Sequence, residues 1–175
     1  MTQPNYKLFP FTVINNYVGD YLAAKNIMAK TITIKGQQQP SIVPAAQTPE
    51  LVDASSPGTD RAPAFMVYSL ELDQTDNEVY MKHERMSYVI YAPTVSKVME
   101  ILYALEDLFG NLDISAQLLN ASAARKGSIY NFFSTDYEVQ GGPVATTNEG
   151  GRYGAVIRIN YSFNSPVDPN TAMRI

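Results

Sequence analysis

The stretch from Ala64 to Phe109 reads AFMVYSLELDQTDNEVYMKHERMSYVIYAPTVSKVMEILYALEDLF, and its changes of pattern decide the fold. Ala64–Leu72 and Val79–Ala92 are apolar, β-prone runs. Between them lies the polar segment Asp73–Glu78, whose side chains favour turns through local backbone hydrogen bonds. The first part of the stretch therefore predicts a β-hairpin with an acidic tip.

After Pro93 the pattern changes to that of a helix. The apolar residues now recur at three- and four-residue steps, which places them along one side: Val95, Val98, Ile101, Leu102, Leu105, Leu108 and Phe109. Thr94 is the predicted N-cap, and Gly110 the predicted left-handed residue after the last turn. Because such a helix must bury its apolar side, we expect it to lie on a sheet with Leu102 and Leu105 in the core.

Length and composition set the broad class of the protein. The 175 residues suit a single domain, 1–175, and a net charge of -4 argues against a dedicated nucleic-acid binder. The absence of cysteine excludes disulfides, thiolate metal sites and cysteine nucleophiles. No signal peptide or membrane-spanning run is visible, so we expect an intracellular, soluble protein that contacts no membrane.

Two further helices and an edge strand are predicted outside the central stretch. Apolar residues from Pro10 to Met28 fit one helical side, and Thr31–Lys35 alternates β-branched and polar residues as an edge strand does. A short helix capped by Asp113 or Ser115 should end at Arg125. Its predicted apolar side consists of Ile114, Leu118 and Leu119.

The C-terminal third predicts two strands. Ile129–Val139 reads as a strand that Gly141, Gly142 and Pro143 break, and Arg152–Phe163 alternates regularly. The side chains predicted to face the core are Tyr153, Ala155, Ile157, Ile159, Tyr161 and Phe163. The whole pattern indicates an α+β fold: a mainly antiparallel sheet with a long amphipathic helix packed on one face, plus an N-terminal helix and a long loop insertion.

Two segments are too long for simple connections, and a C-terminal tail, 164–175, lacks periodicity. Proline-rich Gly36–Pro63 should form only fragmentary regular structure, either as a mobile insertion or as an arm that orders against a neighbouring subunit. We expect this segment and the loop Gln140–Gly151 to be mobile in the isolated subunit and ordered after assembly. Arg152 could supply an interfacial ion pair or hydrogen bond. The predicted anchors of the arm are Ile42, Val43, Leu51 and Val52.

The residues that could carry catalysis form no recognisable site. His83 is the only histidine, so a conventional zinc site is excluded and a surface or structural role is expected. No nucleophile elbow, P-loop or dinucleotide-binding motif occurs. The acidic residues lack the spacing of a calcium loop and read as a solvated hairpin tip: Glu71, Asp73, Asp76 and Glu78. We therefore expect no enzyme activity, no metal and no cofactor.

The order of elements resembles that of the tail terminator, or tail-completion, proteins of long-tailed bacteriophages and their contractile relatives. The matching blocks are PAFMVYSLELDQTDNEVY (63–80), RMSYVIYAPTVSKVMEIL (85–102), FFSTDYEV (132–139) and AVIRINYSF (155–163). The resemblance covers about residues 62–163, with the N-terminal helix in support, and it rests on elements and composition. The insertion 36–63 and the tail after Asn164 depart from the minimal pattern.

This resemblance implies a structural virion protein of the tail or neck, assembled in the host cytoplasm. Its partners would be copies of itself in a hexameric ring, the tail tube, the sheath protein of a contractile tail and the head–neck connector. Genomic DNA would pass through the lumen without sequence-specific binding. Three alternatives stay open: another neck or head–tail joining protein, a small ligand-binding α+β domain, and a hydrolase that uses carboxylates of the acidic hairpin.

Overall fold

The computed structural model describes residues 8–34, 36–47, 63–72, 81–145 and 152–164. Within these ranges the chain forms three helices and seven strands. The helices are α1 (Pro10–Ala24), α2 (Val95–Phe109) and α3 (Leu112–Arg125). The strands are β1 (Thr31–Ile34), β2 (Gln37–Pro40), β3 (Ile42–Pro44), β4 (Phe65–Leu72), β5 (Lys82–Ala92), β6 (Asn131–Ala145) and β7 (Tyr153–Asn164). The fold is α+β, as predicted.

The main sheet has five strands in the order β3-β4-β5-β7-β6. Only β3 and β4 run parallel, and the other neighbours are antiparallel. β1 and β2 form a separate antiparallel hairpin, with Gly36 between them at a φ of 75°. The predicted pairing of the two runs of the central stretch is confirmed by β4 and β5. Its acidic tip, Asp73–Glu78, lies outside the described residues.

The helix α2 covers one face of the sheet, where it contacts β5, β6 and β7. Leu102 and Leu105 are 3% and 0% exposed, so both core positions are confirmed. The Thr94 side chain accepts a hydrogen bond from Lys97 N at 3.2 Å, which confirms the predicted N-cap. The inward residues of β7 are buried in the same core, apart from the half-buried Tyr153 at its start.

The end of α2 differs from the prediction. Gly110 has φ -75° and ψ -13°, in the right-handed region, so the left-handed assignment is wrong. α3 begins only two residues later, and its N-cap is Asn111, whose side chain accepts from Ile114 N at 3.4 Å. The position favours glycine because there is no room for a side chain, and not because the backbone is left-handed. A Cβ here would lie 2.6 Å from the carbonyl oxygen of Glu106.

The buried side of α3 also differs from the predicted one. Leu119 is buried, but Ile114 and Leu118 are each 52% exposed. Small residues occupy the remaining buried positions: Ser115, Ala116, Ser122 and Ala123. α3 packs against α1 and β6, and small side chains allow such close approach. The prediction counted only large apolar residues, so Leu119 is confirmed, whereas the burial of Ile114 and Leu118 is wrong.

The strand β6 continues where the sequence predicted a break. It passes through Gly141, Gly142 and Pro143 to Ala145, with register shifts between Val139 and Gly141 and again before Val144. β-Bulges absorb such irregular residues, and an edge strand tolerates proline because its outer N–H groups need no partner within the sheet. The predicted loop Gln140–Gly151 is thus strand as far as residue 145, and 146–151 lie outside the described residues.

The first part of the predicted insertion belongs to the sheet system. Gln37–Pro40 and Ile42–Pro44 are strands, and a 3-10 turn follows at Ala45–Gln47, so the expected fragmentary structure is confirmed there. Ser41 joins the two strands: its N–H donates to Lys30 O, and its carbonyl accepts from Met66 N. Tertiary pairing thus orders this proline-containing stretch within the subunit.

Candidate functional site

The sheet face opposite α2 has an apolar half and a polar half. In the apolar half, the hairpin of β1 and β2 places Ile32 against Val43, Phe65 and Val67 in a second buried cluster. Tyr91 packs on this cluster, and its ring stacks on that of Phe65 with centroids 5.0 Å apart. This half is therefore covered by the chain itself.

Arg158 lies at the centre of the polar half. The sheet register aligns Ser87, Arg158 and Glu138 in one row across β5, β7 and β6. The Arg158 guanidinium contacts carboxylate oxygens of Glu71 and Glu138, both at 3.3 Å, and Ser87 Oγ donates to the same Glu71 oxygen at 3.1 Å. The arginine thus links the side chains of three strands: β4, β7 and β6.

The charge balance of this row limits what it can bind. Both terminal nitrogens of Arg158 contact carboxylates, so the guanidinium is neutralised by Glu71 and Glu138. An arginine that recognises phosphate usually offers its planar fork of donors to the ligand. The arrangement stabilises the sheet and presents a mixed-charge surface, and it provides no ready site for a phosphate group.

The outer edge of β6 is the second notable surface. β6 is the last strand of the sheet. Asn120 of α3 closes the beginning of this edge, because its side chain accepts from Phe132 N at 2.7 Å and donates to Phe132 O at 2.8 Å. From Ser134 to Ala145 no other described strand pairs with the outer side. The large apolar side chains exposed on β6 are Phe133, Val139 and Val144.

Three of the predicted interface residues have contacts inside the subunit. Ile42 is half-buried against the main core, and Val43 belongs to the second cluster. Arg152 is buried: its Nη1 donates to Pro63 O at 3.4 Å, and its guanidinium lies 5.2 Å from the centre of the Phe65 ring. Leu51 and Val52 lie outside the described residues. Val43 and Arg152 both lie next to Phe65, whereas Ile42 packs on the main core. The interface role of all five stays a prediction.

The sequence reasoning missed the edge of β6 and its cap. The usable signal was the run Asn131–Ala145, in which polar and β-prone residues continue on both sides of the two glycines. The contact between Asn120 and Phe132 had no signal, because an asparagine within a predicted helix gives no information on a partner in another element. Strand order decided which strand lies at the edge.

Two buried tyrosines of the core form hydrogen bonds with polar side chains of other elements. The Tyr88 hydroxyl donates to Asn15 Oδ1 at 2.7 Å, and the Tyr161 hydroxyl donates to Glu84 Oε2 at 2.8 Å. Burial raises the pKa of Tyr88 and of Tyr161 well above the ordinary tyrosine value, so both stay protonated donors. Burial also raises the pKa of Glu84, although the Tyr161 hydrogen bond and Lys82 act in the opposite direction.

The described residues contain no group of three histidine, cysteine, aspartate or glutamate side chains that could hold a metal ion. His83 is exposed on β5. None of the described helices is long and apolar enough to cross a membrane. A comparison with known proteins gives no match, either to a protein-family model or to a curated protein sequence.

Proposed function

We propose that this protein is a structural subunit of a bacteriophage tail, of the tail terminator kind. Copies of the chain would form a closed ring, hexameric by the resemblance, that caps the tail tube and joins it to the head or neck. Genomic DNA would pass through the lumen of the ring. The protein would then act in the virion through its interfaces, with neither a cofactor nor a reaction of its own.

The observation that carries this proposal is the open edge of β6. From Ser134 to Ala145 the outer backbone groups have no partner strand among the described residues, and exposed apolar side chains accompany them. A long open edge is a ready template for pairing with another chain. In a ring protein such an edge is covered by a neighbour, which accounts for its length and its apolar character.

The arrangement of elements supports the same proposal. The four sequence blocks that carry the resemblance contain β4, β5 with the start of α2, the first part of β6, and β7. β4, β5, β7 and β6 lie side by side, and α2 packs on one face of them. The blocks thus form one connected structural unit, as a shared architecture requires.

The electrostatics suit a ring through which DNA moves. A cationic lumen would hold the phosphate backbone, because neutralising phosphates releases counterions and strengthens binding. The net charge of the chain is -4, and Arg158, at the centre of the polar face, is already paired with two carboxylates. A subunit of this low charge would let DNA slide past without being retained.

Native mass spectrometry of the purified chain, combined with electron microscopy of the same sample, tests the proposal. We expect a closed ring with a central opening. A monomer or dimer at all accessible concentrations would contradict the proposal and favour a small ligand-binding domain. Deleting the gene from its phage should leave tails that fail to join heads, and labelling the protein in intact virions should place it at the head-proximal end of the tail. A label at another neck position would identify it as a different joining protein.

A further inference from the structure

We propose that the hairpin of β1 and β2 is a hinged lid, which opens while the main core stays folded. When it is closed, the lid covers the second buried cluster on the sheet face opposite α2. When it is open, the side chains of that cluster are exposed to water. The lid is a property of one subunit, so it does not depend on the proposed function.

The hairpin is separate from the main sheet. Among the described strands, β1 and β2 pair only with each other. The Gln38 side chain donates to Thr31 Oγ1 at 3.0 Å, and this hydrogen bond also lies within the hairpin. A two-stranded hairpin by itself is marginally stable in water and needs to pack against another element. The position of this hairpin therefore depends on its contacts with the rest of the subunit.

A single described side chain of the hairpin is buried in the sheet. Ile32 is 4% exposed and packs with the other residues of the second cluster. Thr31 and Thr33 on either side of it are exposed, and β2 is exposed except for the half-buried Gln39. A segment with few buried apolar contacts opens locally at a lower free energy than the whole protein. Among the described contacts, opening the hairpin mainly breaks those of Ile32.

The hinge lies at the base of the hairpin, where Lys30 and Ser41 meet. The N–H and the hydroxyl of Ser41 both donate to Lys30 O, so the two ends of the hairpin are held together. Ser41 O accepts from Met66 N of β4, and the Lys30 ammonium pairs with Asp20 of α1. Ser41 is buried, which shields its hydrogen bonds from water. The base is thus fixed to two other elements, and the strands beyond it can move as a unit.

The surface under the lid is apolar. Val43, Phe65 and Val67 are buried there, and the Tyr91 ring stacks on that of Phe65. Apolar side chains are more stable away from water, and this preference holds Ile32 against them. The closed hairpin therefore keeps an apolar part of the sheet out of the solvent, and its opening controls access to that part.

Thiol labelling under native conditions tests the lid, because the chain contains no cysteine of its own. Val67→Cys places the probe under the hairpin, and Val98→Cys, in the main core on α2, is the matched control. We expect a maleimide to label Val67→Cys at least about tenfold faster than Val98→Cys, because the second probe needs the core to unfold. Labelling of Val67→Cys should also depend little on urea, since local opening exposes little surface.

Two alanine substitutions distinguish local from global opening. Ile32→Ala removes three buried carbon atoms of the anchor, so it should accelerate the labelling of Val67→Cys roughly 50-fold. Leu102→Ala weakens the main core, so it should accelerate the labelling of Val98→Cys and leave that of Val67→Cys unchanged. Circular dichroism verifies that each variant is folded before labelling.

Hydrogen exchange on the chain without substitutions is an independent measurement. The amides of β1 and β2 should exchange together, and faster than those of β5 and β7 in the middle of the main sheet. Their exchange should also respond less to urea, for the same reason as the thiol labelling.

The possible results decide the proposal in either direction. If Leu102→Ala accelerates both probes equally, the hairpin opens only with the whole protein and the lid is overturned. An unchanged rate for Val67→Cys in the Ile32→Ala variant overturns it too. Exchange of β1 and β2 only through global unfolding does so without any substitution. Fast exchange of the hairpin with a protected Val67→Cys would show movement that leaves the cluster covered, which also contradicts the lid.

Discussion

The Asn120 side chain provides the sharpest test of how β6 is attached to the helical layer. It makes two hydrogen bonds to the backbone of Phe132, at 2.7 and 2.8 Å, and the Phe132 side chain is buried. Asn120→Ala removes both partners at once. The perturbation therefore leaves a backbone donor and a backbone acceptor without their protein partners, next to the core.

The expected loss follows from these contacts. Each hydrogen bond contributes about 0.5–1.5 kcal/mol net, so the pair contributes about 1–3 kcal/mol. Alanine is a better helix former than asparagine, so the substitution also stabilises the helix by roughly 0.5 kcal/mol. We therefore expect the free energy of unfolding to fall by about 0.5–2.5 kcal/mol. For a chain of this size the loss corresponds to a decrease in Tm of roughly 1–10 °C.

Urea denaturation followed by circular dichroism measures this change, provided the m-value is the same for both proteins. Gln117→Ala is the control, because Gln117 is exposed on the same helix. Its gain in helix propensity is smaller than that of Asn120→Ala, because glutamine is a better helix former than asparagine. The variant Asn120→Asp keeps the acceptor for Phe132 N but places a carboxylate against Phe132 O, so it should also be destabilised. A loss below about 0.3 kcal/mol for Asn120→Ala would refute the reasoning, since water would then replace the side chain at no cost.

Four further predictions concern the core and the titratable residues. Leu102→Ala should lower the free energy of unfolding by about 2–5 kcal/mol through lost packing, and a loss under ~1 kcal/mol in urea denaturation would mean that α2 is not in the core. Tyr88→Phe should lower it by about 0.5–1.5 kcal/mol, and a double-mutant cycle with Asn15→Ala should show coupling; additive losses would contradict the hydrogen bond. Burial raises the pKa of Glu84, so the folded state keeps this proton to higher pH than the unfolded state and loses stability as the pH rises through that raised pKa. Glu84→Gln should therefore raise Tm more at about pH 7 than at about pH 4, and an equal effect at both would exclude this cause. His83→Gln should change neither the fold nor the assembly, and loss of the ring in native mass spectrometry with an intact fold would show a role at an interface.

The sequence by itself determined the elements whose signals are local and periodic. The spacing of apolar residues after Pro93 fixes α2, and the Thr94 cap depends on a residue only three positions away, Lys97. The alternation of β7 separates its core side from its polar side because successive side chains in a strand point in opposite directions. These features need no knowledge of which element packs on which, so the α+β class and the buried positions Leu102 and Leu105 were predictable.

Contacts between distant elements decided the features that the sequence reasoning missed. The buried side of α3 is set by how closely α1 and β6 approach it. β6 continues through its two glycines and a proline because β7 provides the pairing partner. In these cases the energy of packing or pairing with a distant segment was larger than the local conformational preference of the residues.

The candidate site shows the same division. The sequence indicated that edge strands and long segments would form the interfaces, and it placed the anchors in the insertion. Only the strand order β3-β4-β5-β7-β6 shows that β6, the strand before the last in sequence, lies at the edge. That order depends on which hydrophobic faces pack together and which backbone groups pair across the sheet. Such pairings join residues far apart in the chain, and the tertiary structure alone makes them visible.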